Sequence, residues 1–165
     1  MRALPHHTDN PVRGEGFYSL SYLNGTSCEK LKEPKIALVR EEFVDLIHDP
    51  IIAIVLNQLL YWSRRVKDFD LFLEEERNSY SKDHVFERGW FHRPVIALME
   101  ETMLRVTIVT FRRYLRFLVD RGWVQTRLNS QNKWTGGRQY RVNLRKLNHD
   151  LQKKGYSLPY GRSRS

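Results

Sequence analysis

One cysteine, Cys28, stands in the whole chain, so neither an internal disulfide nor a zinc cluster built on several thiolates can form. Long apolar runs are lacking too. The longest goes from Ile51 to Leu56, stops at Asn57 and Gln58, and resumes to Trp62; it is too short, and too polar midway, to span a bilayer. The first ten residues hold His6, His7 and Asp9 and no apolar centre, so nothing there reads as a secretory signal. No Gly-x-x-x-x-Gly-Lys-Ser/Thr loop is present, and the histidines at 6, 7, 48, 84, 92 and 149 form no His-x-x-x-His pair. These absences point to a cytoplasmic protein with no membrane contact, no metal and no cofactor. They also argue against an enzyme: Cys28 has no identifiable base beside it, and Asp120 is the one carboxylate within the basic part of the chain. The run Glu74-Glu75-Glu76 reads as a solvated face rather than a cation site.

What is present is a globular composition, with 41% hydrophobic and 28% charged residues over 165 positions, enough for one domain with an extension. The net charge is +9 and it is unevenly placed. From Arg105 to Lys146 there are eleven bases and one acid, a surplus of ten, so the rest of the chain sums to −1. Between Lys67 and Glu87 the balance reverses, with seven acids against three bases. A basic block of this kind suits a polyanion, above all nucleic acid.

Residues 1–35 contain Pro5, Pro11, Pro34, Gly14, Gly16 and Gly25 without a sustained apolar period, and read as a poorly ordered lead-in, with a short strand over 17–23 as an option. A domain over 36–155 follows, interrupted by an acidic excursion over 67–88 whose first part, 68–83, also reads as a short helix, and residues 156–165 read as a polar tail. Val39, Phe43, Leu46 and Ile47 form one helical stripe over 38–47. Asp49-Pro50 is a strong helix start, and the helix it opens is apolar nearly all round. That surplus, with Val95, Ile96 and Leu98, predicts a homodimer.

Further on, Gly89 to His92 predicts a short strand, and Pro94 opens a helix to about Thr102. Thr107 is the expected cap of a helix over 108–121, and Gly122 is placed for a left-handed C-terminal cap. Alternation over 123–128 and 138–144 around a Gly-rich turn predicts a hairpin; a closing helix is expected over 146–154. The expected fold class is therefore mainly α with a small β-sheet (α+β). In this order the elements spell a winged helix-turn-helix with extra N- and C-terminal helices. At about 100° per residue, Phe111, Leu115 and Leu118 share one face of helix 108–121, with Tyr114 beside them. Val109, Arg112, Arg113, Arg116 and Asp120 share the other. A helix projecting arginines fits the major groove of duplex DNA. The expected DNA contacts are Thr107, Val109, Arg112, Arg113 and Arg116, joined by Arg127, Lys133 and Arg138 of a basic wing that also includes Arg141. Trp134 lies either against the duplex or, as hairpin aromatics more often do, packed beneath the wing.

Several short motifs recur together: Tyr61-Trp62, Gly89-Trp90, Thr110-Phe111-Arg112-Arg113-Tyr114-Leu115, Arg121-Gly122-Trp123, Lys133-Trp134 and Gln139 to Leu144. In this order, and with Val66 to Asp70 between the first two, the chain resembles the winged-helix replication-type proteins of bacterial phages, plasmids and integrated conjugative elements over residues 36–158. It departs from them at Arg105, where glycine is common, and at Arg93-Pro94-Val95-Ile96, which replaces a Lys-Thr start. The resemblance implies non-catalytic binding of double-stranded DNA in replication initiation or transcription regulation of a mobile element. The alternative is a protein-interaction module of a replication complex, favoured by the apolar 51–62 helix and the acidic segment.

Overall fold

Asp49 and Pro50 start a helix as their chemistry requires. In the computed structural model, which describes residues 34–79, 84–128 and 137–159, the Asp49 carboxylate accepts the backbone N–H groups of Ile51 and Ile52 at 2.8 and 3.2 Å, and proline fills the first turn. Expectations for residues 1–33, for the turn over 129–136 with Lys133 and Trp134, and for the end from residue 160 fall outside the described residues.

Among the described residues there are six helices and three strands: α1 (Glu41–Ile47), α2 (Pro50–Ser63), α3 (Phe69–Asn78), β1 (Phe91–His92), α4 (Val95–Thr102), α5 (Ile108–Asp120), β2 (Val124–Leu128), β3 (Arg138–Val142) and α6 (Leu144–Gln152). The strands form an antiparallel sheet in the order β1-β3-β2. The architecture is α+β, with helices predominating. No helix among the described residues is long and apolar enough to cross a membrane.

Helix α2 is the hub, touching α1, α4, α5 and β3. Its apolar circumference is covered within the one chain: Ile52, Ala53, Val55, Leu56, Leu59 and Leu60 are buried, and only Ile51 and Tyr61 stay exposed. The helix itself is thus covered by neighbours on most sides, while Ile96, counted with it in the homodimer expectation, stays 61% exposed. The tryptophan that ends it donates its indole N–H to Glu101 of α4 at 2.7 Å. Glu101 also accepts from Gln58 and pairs with Arg93, whose guanidinium lies over the Trp62 ring. This cluster clamps α4 to α2.

Three boundaries shift from expectation. The first helix begins at Glu41, not at residue 38: Arg40 is extended, Leu38 and Val39 are exposed, and Glu41 and Glu42 occupy the first turn, where the dipole favours acids. The first strand is two residues long, because Gly89 takes a left-handed backbone (φ +76°) and breaks the extended run. The closing helix starts two residues early, since the Asn143 side chain accepts the Lys146 N–H at 2.9 Å and caps it; Leu144, Leu147 and Leu151 form its buried stripe. Beyond α6 the chain stays on the domain: Leu158 is buried and the Tyr156 hydroxyl donates to Asp45 at 2.6 Å. That bond to a carboxylate holds the phenol up at about 12.

The acidic segment forms a short helix, one of the two readings open for it, and the correction concerns its run of acids: Glu74 faces solvent, but Glu76 does not. Helix α3 lies on the chain's own sheet side, with Phe72 fully buried, and Glu76 is only 7% exposed. Its partner is Arg141, which the alternation of the hairpin had placed among the wing's basic contacts. Arg141 is 0% exposed. Its Nη2 lies 2.6 Å from Glu76 and 3.5 Å from Glu75. Its Nε donates to the Arg88 carbonyl and its Nη1 to Gln125, and its guanidinium stacks over Phe86 at 3.8 Å and Phe72 at 4.8 Å. From Tyr140 to Val142 successive residues on both faces of β3 are buried. Burial pushes the Glu76 carboxyl up against the pull of Arg141. For Glu75, burial is outweighed by the N–H groups of Glu87 and Arg88 with His84 and Arg141, and its carboxyl is held down.

Candidate nucleic-acid interface

Helix α5 is built as an amphipathic rod. The Thr107 hydroxyl accepts the Thr110 N–H at 3.2 Å and opens it; Gly122, at φ +75°, ends it, in a conformation that costs other residues about 1–2 kcal/mol. Phe111, Leu115 and Leu118 are buried, and Tyr114 is half-buried beside them. Val109, Arg112, Arg113, Arg116 and Asp120 all face solvent. The division read from the helical period is the division observed.

Strand β2 follows directly, and the indole N–H of Trp123 donates to Asp150 of α6 at 2.9 Å. Asp150 also takes Lys146 at 2.8 Å. Burial works against its ionised form, but the bonds from Lys146, Trp123 and His149 prevail and hold the carboxyl near 2. Trp90 donates to the Phe86 carbonyl. Trp62 and Trp123 thus spend their N–H groups fastening elements together, whereas Trp90 bonds within the loop that precedes β1.

A cleft of about 850 Å³ opens between α5, the start of α4 and the sheet. Its lining includes Arg112, Arg116 and Asp120 of α5, Arg138 and Tyr140 of β3, and His92 and Arg93 ahead of α4. Arg93 is committed to Glu101, and Arg116 has a loose, exposed contact with Asp120 at 3.9 Å, worth little in water. Among the described residues Arg112 and Arg138 have no acid within ion-pair distance.

The structure sorts the eight expected contacts. It brings Arg112, Arg116 and Arg138 together on the cleft. Val109, 56% exposed, and Arg113 lie on the same helix outside the cleft lining. Thr107 is at the helix start, its oxygen engaged by Thr110. Arg127 is turned away: Thr126 lines the cleft, so alternation sends its neighbour to the opposite face. There Arg127 donates to Gln139 at 2.7 Å and lies over the Trp90 ring at 4.3 Å. Lys133 is outside the described residues. The basic block also shrinks as a surface, since Arg141 is buried and Arg145 donates to Glu76 through its N–H and to the Ser79 carbonyl through its guanidinium. Sequence reasoning missed Tyr140 as a cleft residue because its apolar alternation marked it as core.

The turn joining α4 to α5 departs from expectation in one respect. Its left-handed residue is Met103 (φ 56°), not Arg105.

No family model matches the chain, and comparison with curated proteins and with solved structures gives no match.

Proposed function

We propose that this protein binds double-stranded DNA without catalysing a reaction, as a winged helix-turn-helix module with α5 as recognition helix and the β2–β3 hairpin as wing. The observation that carries this reading is the convergence of Arg112, Arg116 and Arg138 on one cleft, with Arg113 and Val109 outward on the same helix. An exposed α-helix fits the major groove, and guanidinium groups on it reach guanine edges and phosphates. The succession of α4, a tight turn, α5 and the antiparallel hairpin supports the same reading. A role in replication initiation or regulation of a mobile element rests on the motif resemblance.

The protein-interaction alternative loses its main supports. Helix α2 is covered by its own domain, and Glu75 and Glu76 are engaged with Arg141. That leaves Asp70, Leu71 and Glu74 on the exposed side of α3 as what still favours it.

Titration of duplex DNA at two salt concentrations tests the proposal. With three or four phosphates neutralised, the slope of log affinity against log salt is expected near −3, at about −0.9 per phosphate. Affinity indifferent to salt between about 50 and 200 mM would count against it.

A further inference from the structure

Tyr140 lies in the wall of the cleft and is only 2% exposed, yet its hydroxyl has no hydrogen-bond partner among the described residues. That oxygen is not one of the sealed atoms left unpaired inside the fold, so the cleft is where its partner can come from. What surrounds it is cationic. Burial pushes its phenol up, against the opposing pull of Arg138 and Arg112, so the hydroxyl remains a donor.

The start of α4 enters the same cleft through Val95 and Ile96. The first backbone N–H groups of a helix have no partner inside it, and here no side chain caps them: Pro94 stands at the cap position. Such N–H groups attract an anion. Groups from three separate elements (β3, α5 and α4) therefore line one space, together with one acid, Asp120, which lies 3.9 Å from Arg116.

Resting on the DNA-binding reading, and deepening it, we propose that the Tyr140 hydroxyl, Arg112, Arg138 and the uncapped start of α4 form a seat for a phosphate group. A backbone phosphate of duplex DNA and a free phosphate offer the same chemistry to these donors. Tyr140 is then a binding residue inside what reads as core, and it holds the phosphate with a hydroxyl that the fold itself does not use.

Tyr140→Phe tests this, because the ring that packs against Phe91 is kept and only the oxygen is lost. Thermal stability of the variant should equal or slightly exceed that of the wild type, while duplex affinity falls about tenfold, the scale of one hydrogen bond to a charged group. In parallel, the amide NMR signals of Val95 and Ile96 are followed with inorganic phosphate and with duplex DNA. Shifts with inorganic phosphate that vanish in Tyr140→Phe support the seat, even for a protein that binds no DNA, and in that case the DNA reading alone fails. Shifts that appear with duplex only, and vanish in the variant, support it with the DNA backbone as the source. If neither probe moves these signals, or the variant responds as the wild type does, the seat is overturned. The DNA reading survives that outcome if an Arg112→Ala/Arg113→Ala/Arg116→Ala variant still loses duplex binding.

Discussion

Arg138 and Arg141 stand three residues apart on the same strand and meet opposite fates. Arg138 opens onto the cleft without an acid partner, whereas Arg141 is sealed beneath α3 between two glutamates and two aromatic rings. The first has its charge available to a ligand; the second has its charge consumed by the fold. Composition treats them alike. What separates them is the strand's alternation and the helix that covers one face.

The sharpest way to break this comparison is to remove each arginine in turn. Arg141→Ala leaves Glu76 buried without its partner and should cost about 3–5 kcal/mol, measured by urea unfolding, while Arg138→Ala should stay within about 0.5 kcal/mol. The pH dependence gives a second handle. Burial holds the folded Glu76 carboxyl above its ordinary 4.5, and losing Arg141 raises it further. A carboxyl raised on folding favours the native state when protonated. Stability from this source is therefore full below the unfolded value and lost as pH rises through the folded one. The Arg141→Ala variant should accordingly recover stability as the solution is acidified toward 4.5. Equal losses for the two arginines would erase the distinction.

A comparison within the proposed interface comes next. The Arg112→Ala/Arg113→Ala/Arg116→Ala variant should lose at least about 100-fold in duplex affinity, at about 1–3 kcal/mol for each base-contacting arginine, with an unchanged circular dichroism spectrum. Arg127→Ala, on the opposite face of the sheet, should lose less than about threefold, the scale of a single exposed charge contact. A larger effect from Arg127 than from the helix would place the binding surface on the other side of the sheet.

The smallest effect is expected at Met103, which shares its left-handed backbone with Gly89. Gly89 is required, since a Cβ there would come within 2.5 Å of the Phe72 ring. Met103 adopts the same backbone region as a non-glycine with no comparable need. Met103→Gly should therefore raise stability slightly, by up to about 1 kcal/mol, seen as a small rise in melting temperature. A loss would mean that the Met103 side chain contributes more through packing than its backbone conformation costs.

Much of this was open to sequence reasoning, for identifiable causes. The caps at Asp49 and Thr107, the glycine after α5 and the two faces of that helix all depend on residues within a turn or two of each other, and local hydrogen bonding and the 3.6-residue period decide them. The two strands of the hairpin follow from period-2 alternation. By contrast, Glu75 and Glu76 looked like a solvated run because their partner lies more than sixty residues away in sequence. Arg127 and Arg138 looked equivalent because alternation assigns faces without saying what will cover each one.

The amino-acid sequence by itself determined which segments become helix or strand, where most of them stop, and that one face of α5 is apolar and the other basic. Only the tertiary structure decided that α3 closes over the sheet, that Arg141 is withdrawn from the basic surface, that Arg112, Arg116 and Arg138 share a cleft, and that Tyr140 enters it with an unused hydroxyl. The reason is physical. Periodicity and capping are set by neighbours along the chain, whereas desolvation and charge pairing depend on which distant surface arrives, and a one-dimensional pattern does not record that.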